Sequence, residues 1–125
     1  NTVKAGAYIV KKAGDTPDIT VLATGSEVDM ALDAAALVPE KKIRVVSVMD
    51  RTLFENQDAA FINTIIGNTK RVVVAEAGTR MGWEGFVTSK DDLFCIDRFG
   101  ESGPAKKVAE YLGFTAEGLA EVLKK

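Results

Sequence analysis

The sequence predicts an α/β protein, a three-layer α/β/α sandwich around a mixed five-stranded sheet whose first strand is antiparallel. Three observations carry this expectation. Five short runs rich in β-branched and aromatic residues, at 7–11, 19–23, 43–49, 71–75 and 93–96, have the length of strands. The last four are nearly all apolar rather than alternating, as strands covered on both faces are, and the segments between them are long enough for crossover helices, so they read as parallel. Only residues 12–18, with Gly14, Asp15 and Pro17, separate the first two runs. A parallel connection needs about a dozen residues or more, so these two strands run in opposite directions.

The helices follow in order. Ser26 with Asp29 has the spacing of a capping box, and Val28, Ala31, Leu32, Ala35 and Val38 then recur at helical spacing until Pro39 ends the segment. A second helix is expected over 55–66, with Phe61, Ile62, Ile65 and Ile66 on one side and Gly67 as its stop. A shorter one covers 82–87. Pro104 opens a helix through Leu112 that carries Ala105 and Val108 on the same face and ends at Gly113. Thr115 caps the last helix, whose Leu119, Val122 and Leu123 turn inward while Lys124 and Lys125 suit its negative end.

Composition bounds the function. With 125 residues, 46% of them hydrophobic, 27% charged, and a net charge of -2, the chain fits one domain with a substantial core. It contains no histidine, so it cannot by itself supply a Ser-His-Asp triad, a Cys-His pair or an HExxH zinc site. The single Cys95 allows no internal disulfide, which suits a reducing, cytoplasmic setting, and its apolar neighbours Phe94 and Ile96 make it a small buried hydrophobe. The acidic balance gives no footprint for nucleic acid. No apolar stretch approaches the roughly 18 residues of a membrane span.

In open α/β sheets, ligands and partners are met beyond the carboxyl ends of the strands, and the polar residues gather there. Thr24-Gly25-Ser26 follows the second strand, Asp50-Arg51 the third, Glu76 through Trp83 the fourth, and Asp97-Arg98-Phe99-Gly100 the fifth. The turn Thr24, Gly25, Ser26 offers free amides at a helix start, either as a possible anion site or as an ordinary capped junction, since neither GxGxxG nor GxxxxGK is present. Glu76, Gly78, Arg80, Gly82 and Trp83 lie in the densest loop, where the only tryptophan either anchors a partner domain or covers the local core. Asp97 can pair with a neighbouring arginine, and Gly100 to Gly103 has only the spacing of a KH loop, with the acidic Glu101 inside it. Asp91-Asp92 reads as a solvated strand start. No standard catalytic motif occurs.

The motifs as a set resemble a known family. Tyr8-Ile9-Val10, Ile19-Thr20-Val21-Leu22-Ala23-Thr24-Gly25-Ser26-Glu27-Val28, Val45-Val46-Ser47-Val48-Met49, Leu53-Phe54-Glu55-Asn56-Gln57, Glu76-Ala77-Gly78, Gly82-Trp83-Glu84 and Ile96-Asp97-Arg98-Phe99-Gly100 follow in the order found in transketolases, and residues 6–125 are similar to their C-terminal domain. The resemblance implies the fold already read. It also implies ketol transfer between sugar phosphates in the pentose phosphate pathway, with thiamine diphosphate and a divalent metal held by the two preceding domains of a homodimer. It carries over no catalytic, cofactor-binding or metal residue, so the domain is expected to be structural, interfacial or regulatory and inactive alone. Where the family has Met-Pro and a small residue with Trp, this chain has Val48-Met49-Asp50-Arg51-Thr52.

These readings divide the chain into an interdomain linker remnant at 1–6 and the domain at 7–125. The start at Asn1, without an initiating Met, points to a piece of a longer product. Glu76, Gly78, Arg80, Gly82, Trp83, Asp97, Arg98, Phe99 and Gly100 are the expected domain-interface residues, facing the thiamine-binding domains of the same enzyme. The alternative is a free-standing anion- or nucleotide-binding module built on Thr24, Gly25 and Ser26.

Overall fold

A computed structural model describes residues 6–76, 83–87, 92–95 and 115–125. Five strands, β1 (Ala7–Lys11), β2 (Ile19–Thr24), β3 (Ile43–Val48), β4 (Arg71–Glu76) and β5 (Leu93–Cys95), form one sheet in the order β1-β3-β2-β4-β5. All neighbours are parallel except β1, which runs antiparallel to β3. The mixed sheet with an antiparallel first strand is therefore as the sequence predicts. Its order adds that β1 and β2, consecutive in the chain, are separated by β3.

Residues 12–18 thus step across one intervening strand, a distance of about 10 Å at the usual strand spacing. Ala13 at φ 52° and Gly14 at φ 82° turn the chain sharply there. Arg44 of β3 holds the step in place: its Nε donates to the Lys12 carbonyl at 2.9 Å and its Nη2 to that of Gly14 at 2.7 Å.

Helices cover both faces. On one, α1 (Val28–Ala36) and α4 (Ala116–Lys124) pack together over Ile19, Val21 and Ala23 of β2, Val45 of β3 and Val73 and Ala75 of β4. The small side chains Ala31, Ala34 and Ala35 let α1 sit close to the sheet. On the other, α2 (Arg51–Glu55) and α3 (Ala59–Ile66) cover Leu22, Val46, Val48 and Val74 through Phe54 and Ile65. Adjacent residues of one strand therefore serve opposite cores, which is why β2 and β3 are buried along their length without alternation.

Four expectations about the elements are corrected. The capping box at Ser26 is not the start of α1, because a single 3-10 turn, Gly25–Glu27, intervenes and Glu27 is the N-cap. The helix expected over 55–66 starts later, as α3, where Asp58 caps it by accepting from the Phe61 amide at 2.8 Å, and a separate short helix, α2, precedes it, capped by Asp50 accepting from the Leu53 amide at 3.0 Å. β3 ends at Val48, leaving Met49 exposed outside the sheet. Asp92 is buried, its carboxylate bound by Nε and Nη2 of Arg71 at 3.0 and 2.6 Å. The solvated strand start predicted for Asp91-Asp92 does not hold for Asp92, because a cation from the neighbouring strand reaches it.

The last helix is as expected. The Thr115 hydroxyl accepts from the Gly118 amide at 3.0 Å, and Leu119 and Leu123 are buried. Its C-terminal carbonyls receive two cations, Lys41 on Leu123 at 2.7 Å and Arg71 on Val122 at 3.0 Å, the latter beside the Lys125 amide, which suits the negative end of the helix. The helix expected from Pro104 to Leu112 lies outside the described residues.

Candidate functional site

The sheet order fixes what meets along the rim. Thr24 at the end of β2 is in register with Val48 at the end of β3, and Glu76 of β4 is in register with Cys95 of β5. Because β1 is antiparallel, its beginning lies at this same rim, where Gly6 accepts hydrogen bonds from the Met49 amide at 2.7 Å and the Asp50 amide at 3.1 Å. The described rim therefore runs Gly6, Met49-Asp50, Thr24-Gly25, Glu76. Gly78, Arg80, Gly82, Asp97, Arg98, Phe99 and Gly100, which the sequence places on it as well, lie outside the described residues.

At the turn after β2, the Thr24 hydroxyl donates to Oε2 of Glu27 at 2.8 Å, and Glu27 is buried. A carboxylate thus occupies the Thr24 hydroxyl of the turn, and its negative charge disfavours an anion there. Gly25 has nothing within 4 Å of where a side chain would begin and no left-handed φ, so close backbone approach does not require glycine here. Both features favour a structural junction over a phosphate cradle.

After β3, the Arg51 guanidinium pairs with Glu55 at 3.0 Å and lies 5.9 Å over the Trp83 ring. Trp83 is itself buried, 3% exposed, and packs on Phe86 at 5.9 Å, which stacks on Phe54 at 5.8 Å. The indole covers the core beneath α2, and Arg51 closes over it. Two exposed apolar side chains flank Arg51 in the chain, Met49 and Leu53. Sequence reasoning passed over both, because Met49 reads as the end of a strand and a five-residue helix is too short to show a period.

The polar groups of the described rim are paired with one another. Among the described residues no buried side-chain polar atom lacks a partner, and no three acidic, thiol or imidazole groups come together. The buried carboxylates Glu27 and Asp92 are engaged with Thr24 and Arg71. This donor set does not fit a divalent metal carrying a diphosphate, which needs several converging oxygen ligands. No described helix is long and apolar enough to cross a membrane.

Residues 6–115 match the family model described as Transketolase-like TK C-terminal domain. A transketolase of Treponema pallidum (strain Nichols) is 48% identical over 120 residues, which cover 96% of this chain and 18% of that protein. The transketolase structure from Campylobacter jejuni subsp. jejuni NCTC 11168 aligns with a TM-score of 0.80 and 33% identity, covering 98% of this chain and 19% of that one. A transketolase variant from Pichia stipitis gives a TM-score of 0.81 at 30% identity, over 96% of this chain and 18% of that one. The chain spans 18% of the length of the first of these relatives.

Proposed function

The chain belongs to the transketolase C-terminal-domain family, and on that premise we propose that it serves in a thiamine-diphosphate-dependent transketolase. That enzyme moves two-carbon ketol units between sugar phosphates in the pentose phosphate pathway of the cytoplasm. The observation that carries the reading is the family match across residues 6–115, joined to a shared fold with a transketolase at a TM-score of 0.80.

Residues 1–6 end a linker, and residues 7–125 form a structural and interfacial domain that is inactive alone. The cofactor and its divalent metal belong to the thiamine-binding domains of the same enzyme, a homodimer, and no step of the reaction is assigned to residues of this chain. The part of the domain that faces those neighbours is the rim, at Glu76, Gly78, Arg80, Gly82, Asp97, Arg98, Phe99 and Gly100, while Trp83, which is buried, supports it from beneath.

The test expresses this chain with and without the remaining portion of the enzyme and assays ketol transfer from a ketose phosphate to an aldose phosphate. Transfer is expected only when both portions are present. Turnover by this chain alone, or none by the combination, overturns the reading.

A further inference from the structure

Resting on the reading just given, we propose that Met49 and Leu53 form the seat on which the preceding part of the same polypeptide docks. Scattered exposed apolar residues are normal on any protein, and Tyr8, Val10 and Leu37 are others here. Met49 and Leu53 differ in position. Met49 is 47% exposed and Leu53 40% exposed, and both flank Gly6, where the chain arrives from everything that precedes this domain in a transketolase. Met49 donates its amide to the Gly6 carbonyl, and a side chain begun at Gly6 would stand 3.2 Å from Cβ of Leu53.

Gly6 joins the seat tightly to the incoming chain. It has φ +90°, and a Cβ there would approach the Asp50 carbonyl to 2.6 Å and the Phe54 amide nitrogen to 3.0 Å. Only glycine lets the backbone pass this close to the start of α2. Gly6 is thereby held at the start of α2, between Met49 and Leu53.

The occupant is an apolar surface. The cation at the seat, Arg51, is engaged with Glu55 and with the face of Trp83, so it does not call for an acidic partner. The length outside this chain supplies the occupant, since the domain is 18% of the Treponema pallidum transketolase that it matches.

The experiment incorporates photo-methionine into the complete enzyme and maps cross-links from Met49 by mass spectrometry. The expected product joins Met49 to a segment preceding residue 1 of the same polypeptide, and Leu53→Asp abolishes it. Leu37→Asp, an equally exposed position, leaves it intact. A cross-link to residues 1–125 of a second copy, consumption of Met49 by water alone, or an unchanged product in the Leu53→Asp enzyme overturns the proposal. Near-ultraviolet circular dichroism checks that each variant is folded. Ketol transfer measured on the same preparation reports separately on the functional reading: an active enzyme lacking the cross-link removes the seat and leaves the function.

Discussion

The guanidinium of Arg44 lies directly against Gly67, so that a side chain at residue 67 would have its Cβ 2.8 Å from Cζ of Arg44. Arg44 is buried and donates to the carbonyls of Thr64 at 3.3 Å and Ile65 at 3.0 Å at the end of α3, as well as to Lys12 and Gly14. Gly67 also takes φ 83° and ψ 175°, a region in which side chains are strained. Gly67→Ala is therefore expected to destabilise the fold by about 2–3 kcal/mol, read by urea unfolding. Gly25→Ala, at an open position in an ordinary conformation, is expected to raise stability by about 0.4–1 kcal/mol instead. Equal effects at the two positions would show that this account of the glycines is wrong.

Arg44 acts through its fork of donors. Arg44→Met removes the donor from carbonyls of the β1–β2 connection and of the end of α3 and should cost about 3 kcal/mol. Arg44→Lys keeps the charge but presents a single ammonium that cannot span the same carbonyls, so it should recover only part of that loss. Full recovery by lysine in equilibrium unfolding would mean that charge, and not the fork, matters.

Arg71 and Asp92 tie β4 to the start of β5, and Arg71 extends the tie to Val122 of α4. Removing one partner of a fully buried pair costs about 3–5 kcal/mol, and because the Arg71 side chain keeps 22% exposure we expect about 2–3 kcal/mol for Asp92→Asn. The double variant Arg71→Met, Asp92→Leu should lose less than the two single changes summed. Simple additivity in that cycle would remove the coupling.

The aromatic stack gives the domain an optical reporter. Trp83, the only tryptophan in the sequence, is buried and should emit at short wavelength in the folded chain and shift to the red on unfolding. Arg51→Ala should weaken stability by about 0.5–1 kcal/mol through loss of the ring contact. A folded-state spectrum already typical of water-exposed indole would contradict the burial.

Thr115→Ala removes the hydroxyl that receives the Gly118 amide and should cost about 1 kcal/mol. Thr115→Ser should restore most of it, since serine offers the same oxygen. The two variants compared by thermal unfolding decide whether the cap or the methyl group is responsible.

The sheet was legible because burial on both faces writes itself into β2 and β3 as unbroken apolar runs, and because seven residues cannot carry a parallel crossover. Its order was not. Nothing local to residues 7–11 says that their partner is β3, a choice made by Ala7 meeting Val48 and by Arg44 clasping the connection. Charged residues misled in the same way: Asp92 reads as solvated until Arg71, 21 positions away, is brought beside it. At the rim, the ends of β2, β3 and β4 were legible to within one residue, but whether Trp83 faces outward or inward depends on Phe54 and Phe86, which only packing brings together.

The placing of β1 also imposes an order of events. During synthesis this strand leaves the ribosome before its partner exists, and Ala7 must wait for Val48, about forty residues later, whereas β2 needs only the next hairpin-sized stretch and its helix to find β3. β1 is thus committed to the sheet only after the sheet has begun to form without it.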